Sequence, residues 1–324
     1  MLRLIKLHRP DSRVYWWVEN GLAPLLEDDP DLAGIIRFHR KGWARPRNWS
    51  HVFRDILWMR EQRFDWVIDL QSLARSGAFA WLANGALTVG LDETREGARG
   101  FYDLAARRQT WHTHAVDWYL SVLPLLGVPV HNRFDWIPSR GACAASLRQR
   151  WPDLDGTPPW VIVQPGARWL NKRWPAGHYS RFVSELALQR PSARFAVLGS
   201  GEDRPMGEAI ARSLPGKVLD LTGRLSLPEM VEWLRAASLM VTNDTGPMHV
   251  GAALGIPLVG LFGPTEPFRT GPYGQVQNTL RLDLPCVPCM GSRCKIARPM
   301  ECLTALPVEG VIRRACELLP AFRT

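Results

Sequence analysis

The stretch Val241-Thr-Asn-Asp-Thr-Gly-Pro-Met-His249, continued by Gly255-Ile-Pro-Leu-Val-Gly-Leu-Phe-Gly-Pro-Thr-Glu266, constrains the chain more than any other. Leu239 to Thr242 reads as a short apolar strand and Asn243 to Gly246 as a polar turn able to N-cap the next helix. That helix, Gly246 to Leu254, has small residues, Gly251, Ala252 and Ala253, on one side. Ile256 to Phe262 is a second buried strand, closed by a Gly-Pro turn. Strand, turn, helix and strand in this order is the repeating unit of a parallel sheet. A ligand site is expected beyond the carboxyl end of the first strand, where free backbone N–H groups and the positive helix end hold an anion. Asp244-Thr245-Gly246 by itself would be an ordinary capping turn. The functional reading needs the wider string.

The same alternation runs through the C-terminal half. Strands are expected at 160–163, 195–198, 218–220, 239–242 and 257–262, with helices at 175–189, 203–214, 227–236 and 246–254 between and after them, and a last helix at 308–322. The N-terminal half is less regular. The end of an amphipathic helix is read over Leu2 to His8 and a strand over Arg13 to Glu19. Two buried strands are read at 66–69 and 87–90, and helices at 49–62, 73–83 and 114–126. A Pro- and Gly-rich segment, 138–159, holds a short helix at 142–151 and marks the domain boundary. The expectation is an α/β chain of two Rossmann-like domains, 1–145 and 146–324, each with a parallel sheet.

At 324 residues, with 46% hydrophobic and 22% charged, the chain has the make-up of an ordinary globular protein. Its net charge of +9 calls for an anionic partner: a nucleotide-sugar, an acidic lipid headgroup, a membrane surface or nucleic acid. No apolar run is long enough to span a bilayer, and the opening residues are too basic for a signal peptide. A cytoplasmic protein, touching a membrane at most, is the expectation. The segment from Arg37 to Arg63 is basic and aromatic. It carries Arg37, Arg40, Lys41, Arg45, Arg47, Arg54, Arg60 and Arg63 among Trp43, Trp49 and Trp58, opposed by Asp55 and Glu61. Arginine forks suit phosphate and carboxylate, and tryptophan suits a sugar face or a membrane interface.

Several separated strings together resemble family 9 glycosyltransferases, the bacterial heptosyltransferases that use ADP-heptose to build the inner core of lipopolysaccharide. They are Asn-Asp-Thr-Gly-Pro-Met-His, the small-residue helix, Phe-Gly-Pro-Thr-Glu-Pro, and Gln164-Pro-Gly-Ala-Arg-Trp-Leu-Asn-Lys-Arg-Trp174, which matches the pattern Pro-Gly-Ala-x-x-x-x-Lys-x-Trp. The resemblance implies the GT-B fold, two Rossmann-like domains facing across a cleft, with the last helix packing back on the first domain. It implies inverting transfer with no cofactor beyond the ADP-heptose donor, and no metal. Lys172 would meet the diphosphate with Gly166 and Ala167, and Asp244 the donor sugar. Thr245 and Gly246 would offer N–H groups to the phosphates, and His249 would reach the phosphate or orient Asp244. Glu202 would take the ribose hydroxyls, while Thr222 and Leu225 would line the base pocket. Lys172 and Asp244 are the candidate catalytic residues.

On the acceptor side, Asp69-Leu-Gln-Ser-Leu-Ala-Arg-Ser76 resembles the family pattern Asp-x-Gln-Gly-x-x-Lys-Ser, with Ser72 in place of Gly and Arg75 in place of Lys. Asp69, Gln71, Arg75 and Arg108 are the acceptor candidates, with Arg107, His112 and His114 nearby. The acceptor implied is the anionic lipid A–core oligosaccharide, not nucleic acid. Family members open with a strand and a Gly-Asp loop whose Asp serves as the general base. Neither is found near Met1, so the expectation is a true start upstream, with Asp69 or Asp11 as remote substitutes. Four of six cysteines cluster as Cys286-x2-Cys289-x4-Cys294-x7-Cys302; the set could hold zinc or an iron–sulfur cluster, but the spacing fits neither standard zinc pattern, and free or redox-active thiols are the expectation. The rival readings are a catalytically impaired nucleotide-sugar or anionic-lipid binding relative, and another GT-B enzyme such as a nucleotide-sugar epimerase.

Overall fold

Short apolar strands alternate with helices along the chain, and their contacts fall into two units, Met1–Phe134 and Asp135–Thr324. The computed structural model describes residues 1–39, 49–93, 95–131, 137–155 and 159–319. Arg40, Lys41, Trp43, Arg45 and Arg47 of the basic segment lie outside the described residues.

The first unit runs α1 (Leu2–His8), β1 (Val14–Glu19), β2 (Leu32–Phe38), α2 (Trp49–Glu61), β3 (Trp66–Ile68), α3 (Ala74–Leu82), β4 (Leu87–Leu91), β5 (Leu104–Ala106), α4 (Ala115–Leu120) and α5 (Val122–Leu125). Among the described residues β1 and β2 form one parallel pair and β3, β4 and β5 a separate parallel sheet. Aromatic contacts fasten the pair to the helices. Trp17 of β1 meets Phe79 of α3 at 4.7 Å between ring centroids, and Tyr15 meets Trp58 of α2 at 5.4 Å. Both are edge-on arrangements, which the ring quadrupoles favour.

Strands β2 and β5 are not among those expected from the sequence. Leu-Ala-Gly-Ile-Ile-Arg-Phe shows neither alternation nor a continuous apolar run, and β5 has three residues. The helix expected over 114–126 is two, divided at Ser121. Pro124 has no N–H for the Leu120 carbonyl, so the helical ladder is interrupted there.

The second unit runs α6 (Gly141–Arg150), β6 (Trp160–Gln164), α7 (Ala176–Gln189), β7 (Arg194–Val197), α8 (Arg204–Ser213), β8 (Val218–Asp220), α9 (Leu227–Arg235), β9 (Leu239–Asn243), α10 (Gly246–Ala253), β10 (Leu258–Phe262), α11 (Pro267–Thr270), β11 (Thr279–Arg281), α12 (Glu301–Thr304) and α13 (Val308–Leu318). Among the described residues its six strands are all parallel, in the order β11-β10-β9-β6-β7-β8. Every residue of β6, β9 and β10 is buried, as expected where helices cover both faces. One face packs Trp174, Tyr179, Phe182 and Leu186 with Val311 and Ile312 of α13; the other packs Trp233, Met240, Met248 and Leu147. Helix α10 can lie close on β9 because it carries Gly251, where a Cβ would come within 2.9 Å of the Met240 sulfur.

Candidate active site

The chain enters the second unit's sheet at β6, builds outward through β7 and β8, then returns to the other side of β6 with β9 and continues outward to β11. The order therefore reverses between β6 and β9. In an open parallel sheet the crevice beyond the carboxyl ends at such a point is the natural ligand site. The loops after β6 and β9 carry Lys172 and Asp244 there.

Lys172 Nζ donates to Asp244 Oδ2 at 2.6 Å, and the Thr265 hydroxyl, from the loop after β10, donates to the same oxygen at 2.6 Å. Asp244 and Thr265 are buried, and the Lys172 side chain is mostly so, with its ammonium 4.6 Å from the centre of the Trp169 ring. In so poorly hydrated a place a charged pair needs its hydrogen bonds, and the Lys172 and Thr265 bonds both fall on Oδ2.

The loop that carries Lys172 is held at both ends by Asn243, the last residue of β9. Its Nδ2 donates to the Pro165 carbonyl at 2.7 Å, and its Oδ1 accepts from the Trp174 N–H at 3.1 Å. The sequence places Asn243 in the cap of α10; in the fold it bridges two loops instead. The N-cap is Thr245, without a side-chain bond to the helix. Gly166 is required by close approach: a Cβ there would lie 2.4 Å from Asp203 Oδ2. Asp203 also accepts from the Ser200 N–H at 2.9 Å and stands 3.6 Å from Arg173, so it ties the loops after β6 and β7 together. Ala167 is buried beside Gly166, and its carbonyl accepts from Arg173 Nε at 2.8 Å. Three buried acceptors of this region, Gln164 Oε1, Asn171 Oδ1 and Asp203 Oδ1, have no hydrogen-bond partner among the described residues.

Glu202 is exposed at the end of β7, next to the buried Asp203. Thr222 is buried after β8, with its N–H and hydroxyl both on Asp220 Oδ1, while Leu225 is half-buried on the core. Gly246 and His249 are exposed on the first and second turns of α10. Asn243 and Thr265 both lie within the family-like strings, yet nothing in the linear order shows that one bridges two loops and the other reaches Asp244.

The cysteine-rich segment lies against the same loops. Asn171 Nδ2 donates to the Gly291 carbonyl at 2.8 Å, and the Met290 N–H donates to the Pro264 carbonyl at 2.8 Å. One strap thereby touches the neighbour of Lys172 and the neighbour of Thr265. Within it, backbone N–H groups of Met300, Ile296 and Lys295 lower the Cys294 thiol. Burial, aided by the other three thiols, pushes Cys302 up to about 11. Among the described residues no three His, Cys, Asp or Glu side chains are arranged to hold a metal ion.

In the first unit Asp69, at the end of β3, is buried and accepts four hydrogen bonds. They come from the N–H groups of Gln71 (2.8 Å) and Ser72 (3.3 Å) and the hydroxyls of Ser76 and Tyr102 (2.7 Å each). Burial and Asp69 together push the Tyr102 phenol well above its ordinary value. Gly90 makes room for that phenol, because a Cβ there would sit 2.3 Å from the Tyr102 ring. Asp69 is thus the framework of the turn, with its oxygens occupied by donors, and the side chains exposed beside it are Gln71 and Arg75. Ser72 has φ +49°, the left-handed conformation that suits the glycine of the family pattern, and its Oγ accepts from the Leu91 N–H at 3.2 Å. The turn is kept with a serine in it. Arg108 bonds the Thr113 carbonyl and stacks 4.9 Å from the Trp118 ring centre. His114 caps α4 by accepting from the Val116 N–H. Arg107 and His112 are exposed.

Comparison with known proteins bears on the family and the fold. A family profile described as "Glycosyltransferase family 9 (heptosyltransferase)" matches residues 54–298. Lipopolysaccharide heptosyltransferase 1 of Pseudomonas aeruginosa is 29% identical over 294 residues, 88% of this chain and 79% of its own. Among solved structures, the family 9 glycosyl transferase of Veillonella parvula has a TM-score of 0.80 at 24% identity, covering 98% of this chain and 91% of its own. Escherichia coli heptosyltransferase WaaC with ADP has a TM-score of 0.74 at 23% identity, covering 97% of this chain and 93% of its own.

Proposed function

Because this chain belongs to glycosyltransferase family 9 and has the GT-B fold, we propose that it transfers a heptose from ADP-heptose, with inversion, to the inner core of lipopolysaccharide. The observation that carries the donor side is the Lys172–Asp244–Thr265 cluster at the reversal of the sheet order. Breaking the glycosidic bond loads negative charge onto the departing ADP. A lysine and helix N–H groups fixed in place stabilise that charge without rearranging as it develops. Lys172 faces the diphosphate, with the N–H groups of Gly166, Ala167, Thr245 and Gly246 around it and His249 one turn along α10. Asp244 accepts from sugar hydroxyls through Oδ1 while Lys172 and Thr265 hold Oδ2. The orphan acceptors Gln164 Oε1 and Asn171 Oδ1 welcome further hydroxyl or amino donors. Glu202, exposed at the end of β7, takes the ribose hydroxyls. Thr222 and Leu225 line the adenine pocket.

On the acceptor side, Gln71 and Arg75 meet the anionic core sugars, with Asp69 setting their turn and Arg108 contributing from the segment after β5. The acceptor is anchored in lipid, so the protein works on the cytoplasmic face of the inner membrane as a peripheral protein. ADP-heptose is the donor, and no further cofactor takes part.

The test is transfer itself. Purified protein is incubated with ADP-heptose and a heptose-deficient lipopolysaccharide, and the acceptor's mass is followed. A gain of one heptose together with release of ADP is the expected result. ADP binding without transfer to any core acceptor would point instead to a binding relative.

A further inference from the structure

Three apolar side chains on two neighbouring helices of the first unit are largely exposed to solvent. On α2, Phe53 is 62% exposed and Leu57, one turn on, is 60% exposed. On the neighbouring α3, Trp81 is 60% exposed. Arg60, at the end of α2, donates to the Leu82 carbonyl, which brings that end of the helix beside Trp81. The opposite side of α2 is already used: Met59 is buried, and Trp58 packs on Tyr15 and Phe64. The outward stripe is therefore surplus to the core. Residues four apart on a helix share a face, and contiguous exposed apolar groups mark an interaction site.

Charge says what it meets. Arg54 and Arg60 are exposed on α2 and Arg63 just after it, against exposed Glu61 and Asp65 and a half-buried Asp55, in a chain of net charge +9. Aromatic and aliphatic side chains framed by arginines suit the boundary between anionic headgroups and acyl chains. We propose that Phe53, Leu57 and Trp81 form the surface by which this protein docks on an anionic lipid bilayer, with Arg54, Arg60 and Arg63 on the headgroups. The proposal rests on the reading that the acceptor is lipid-anchored, and it names the face that brings the enzyme to that acceptor.

The experiment uses the full chain and vesicles of phosphatidylglycerol and phosphatidylethanolamine, with phosphatidylcholine vesicles as the neutral reference. Wild-type protein should sediment with the anionic vesicles, less so as salt rises. The combined Phe53→Ser, Leu57→Ser, Trp81→Ser variant should bind them about tenfold or more weakly, given the apolar area removed. All three side chains are largely exposed, so its melting temperature and ADP binding should match wild type. Transfer to a water-soluble, de-acylated acceptor should be unchanged, and transfer to a vesicle-embedded acceptor should fall. Equal vesicle binding by variant and wild type, or no wild-type preference for anionic vesicles, would overturn the docking surface. So would loss of self-association in the variant with vesicle binding intact, which would make the stripe an interface between copies. Absence of transfer to either acceptor, with vesicle binding as expected, would instead overturn the catalytic reading and leave the docking surface standing.

Discussion

Lys172 and Asp244, 72 residues apart in the chain, meet at 2.6 Å where the sheet order reverses between β6 and β9. Thr265 shares the Asp244 oxygen, so the carboxylate is steered from two sides. Lys172→Ala should lower kcat by roughly a hundredfold or more, the usual scale for removing a fixed charge-stabilising donor. Asp244→Asn keeps the shape but loses the ion pair, and should weaken use of the donor sugar more than binding of ADP. Calorimetric titration with ADP beside a transfer assay separates the two effects. Unchanged turnover in either variant, with the fold intact by circular dichroism, would remove the donor-site assignment.

Asn171 should act through position. Its amide hydrogen-bonds the Gly291 carbonyl of the cysteine-rich strap, while its Oδ1 has no partner among the described residues. Asn171→Ala frees the strap from the loop that carries Lys172. The expected outcome is a higher KM for the donor, with a loss of stability near the ~1 kcal/mol of one hydrogen bond. Asn171→Asp cannot donate to a carbonyl and sets a buried carboxylate against it, so it should do no better than alanine. If Asp restores wild-type kinetics, the strap does not act through this bond.

The donor half of the molecule is legible in the sequence because its physics is local. Trp-Val-Ile-Val and Leu-Val-Gly-Leu-Phe are buried on both faces, so they appear as unbroken apolar runs. The polar residues after such strands fall on one edge by topology alone, and among them the resemblance to the family strings is what singles out Lys172 and Asp244. Partnership across the fold is a different matter. Asp69 reads as an acceptor ligand in the linear string, but Tyr102, 33 residues on, occupies one of its oxygens. Asn243 reads as part of a helix cap, and only the folded loops show it joining Pro165 to Trp174. Strand β2 escapes sequence reasoning because Gly34 and Arg37 break its pattern, and its pairing with β1 comes from the fold.

Ser72 offers a test of backbone strain against a hydrogen bond. It holds φ +49° and its Oγ accepts from the Leu91 N–H. Ser72→Gly removes a left-handed penalty of about 1 kcal/mol while giving up a bond of similar worth, so stability should change little. Ser72→Ala keeps the strain and loses the bond, and should be about 1 kcal/mol less stable than the glycine variant. Urea unfolding of the pair measures the gap directly. Equal midpoints would mean that the turn relaxes out of the left-handed region.

Glu229 gives a dependence on pH whose sign is set by its surroundings. It completes a capping box at the start of α9, accepting from the Ser226 N–H at 2.7 Å and the Ser226 hydroxyl at 2.8 Å, and it pairs with Arg150 of α6. Partial burial works against the charged form, but the Ser226 bonds and Arg150 outweigh it and hold the carboxyl below its ordinary value. A folded-state pKa below the unfolded one means that the charged carboxylate stabilises the fold above the ordinary glutamate range, ~4.3. That contribution is lost as pH falls through the lower, folded value. Glu229→Gln should therefore cost about 1 kcal/mol at pH 7, the typical worth of a capping residue. The gap to wild type should close as pH is lowered past about 4, because the protonated wild-type side chain then resembles the amide. Chemical denaturation of both proteins at about pH 7 and about pH 3.5 tests this. A gap that stays constant would show that the carboxylate's charge contributes nothing to the cap.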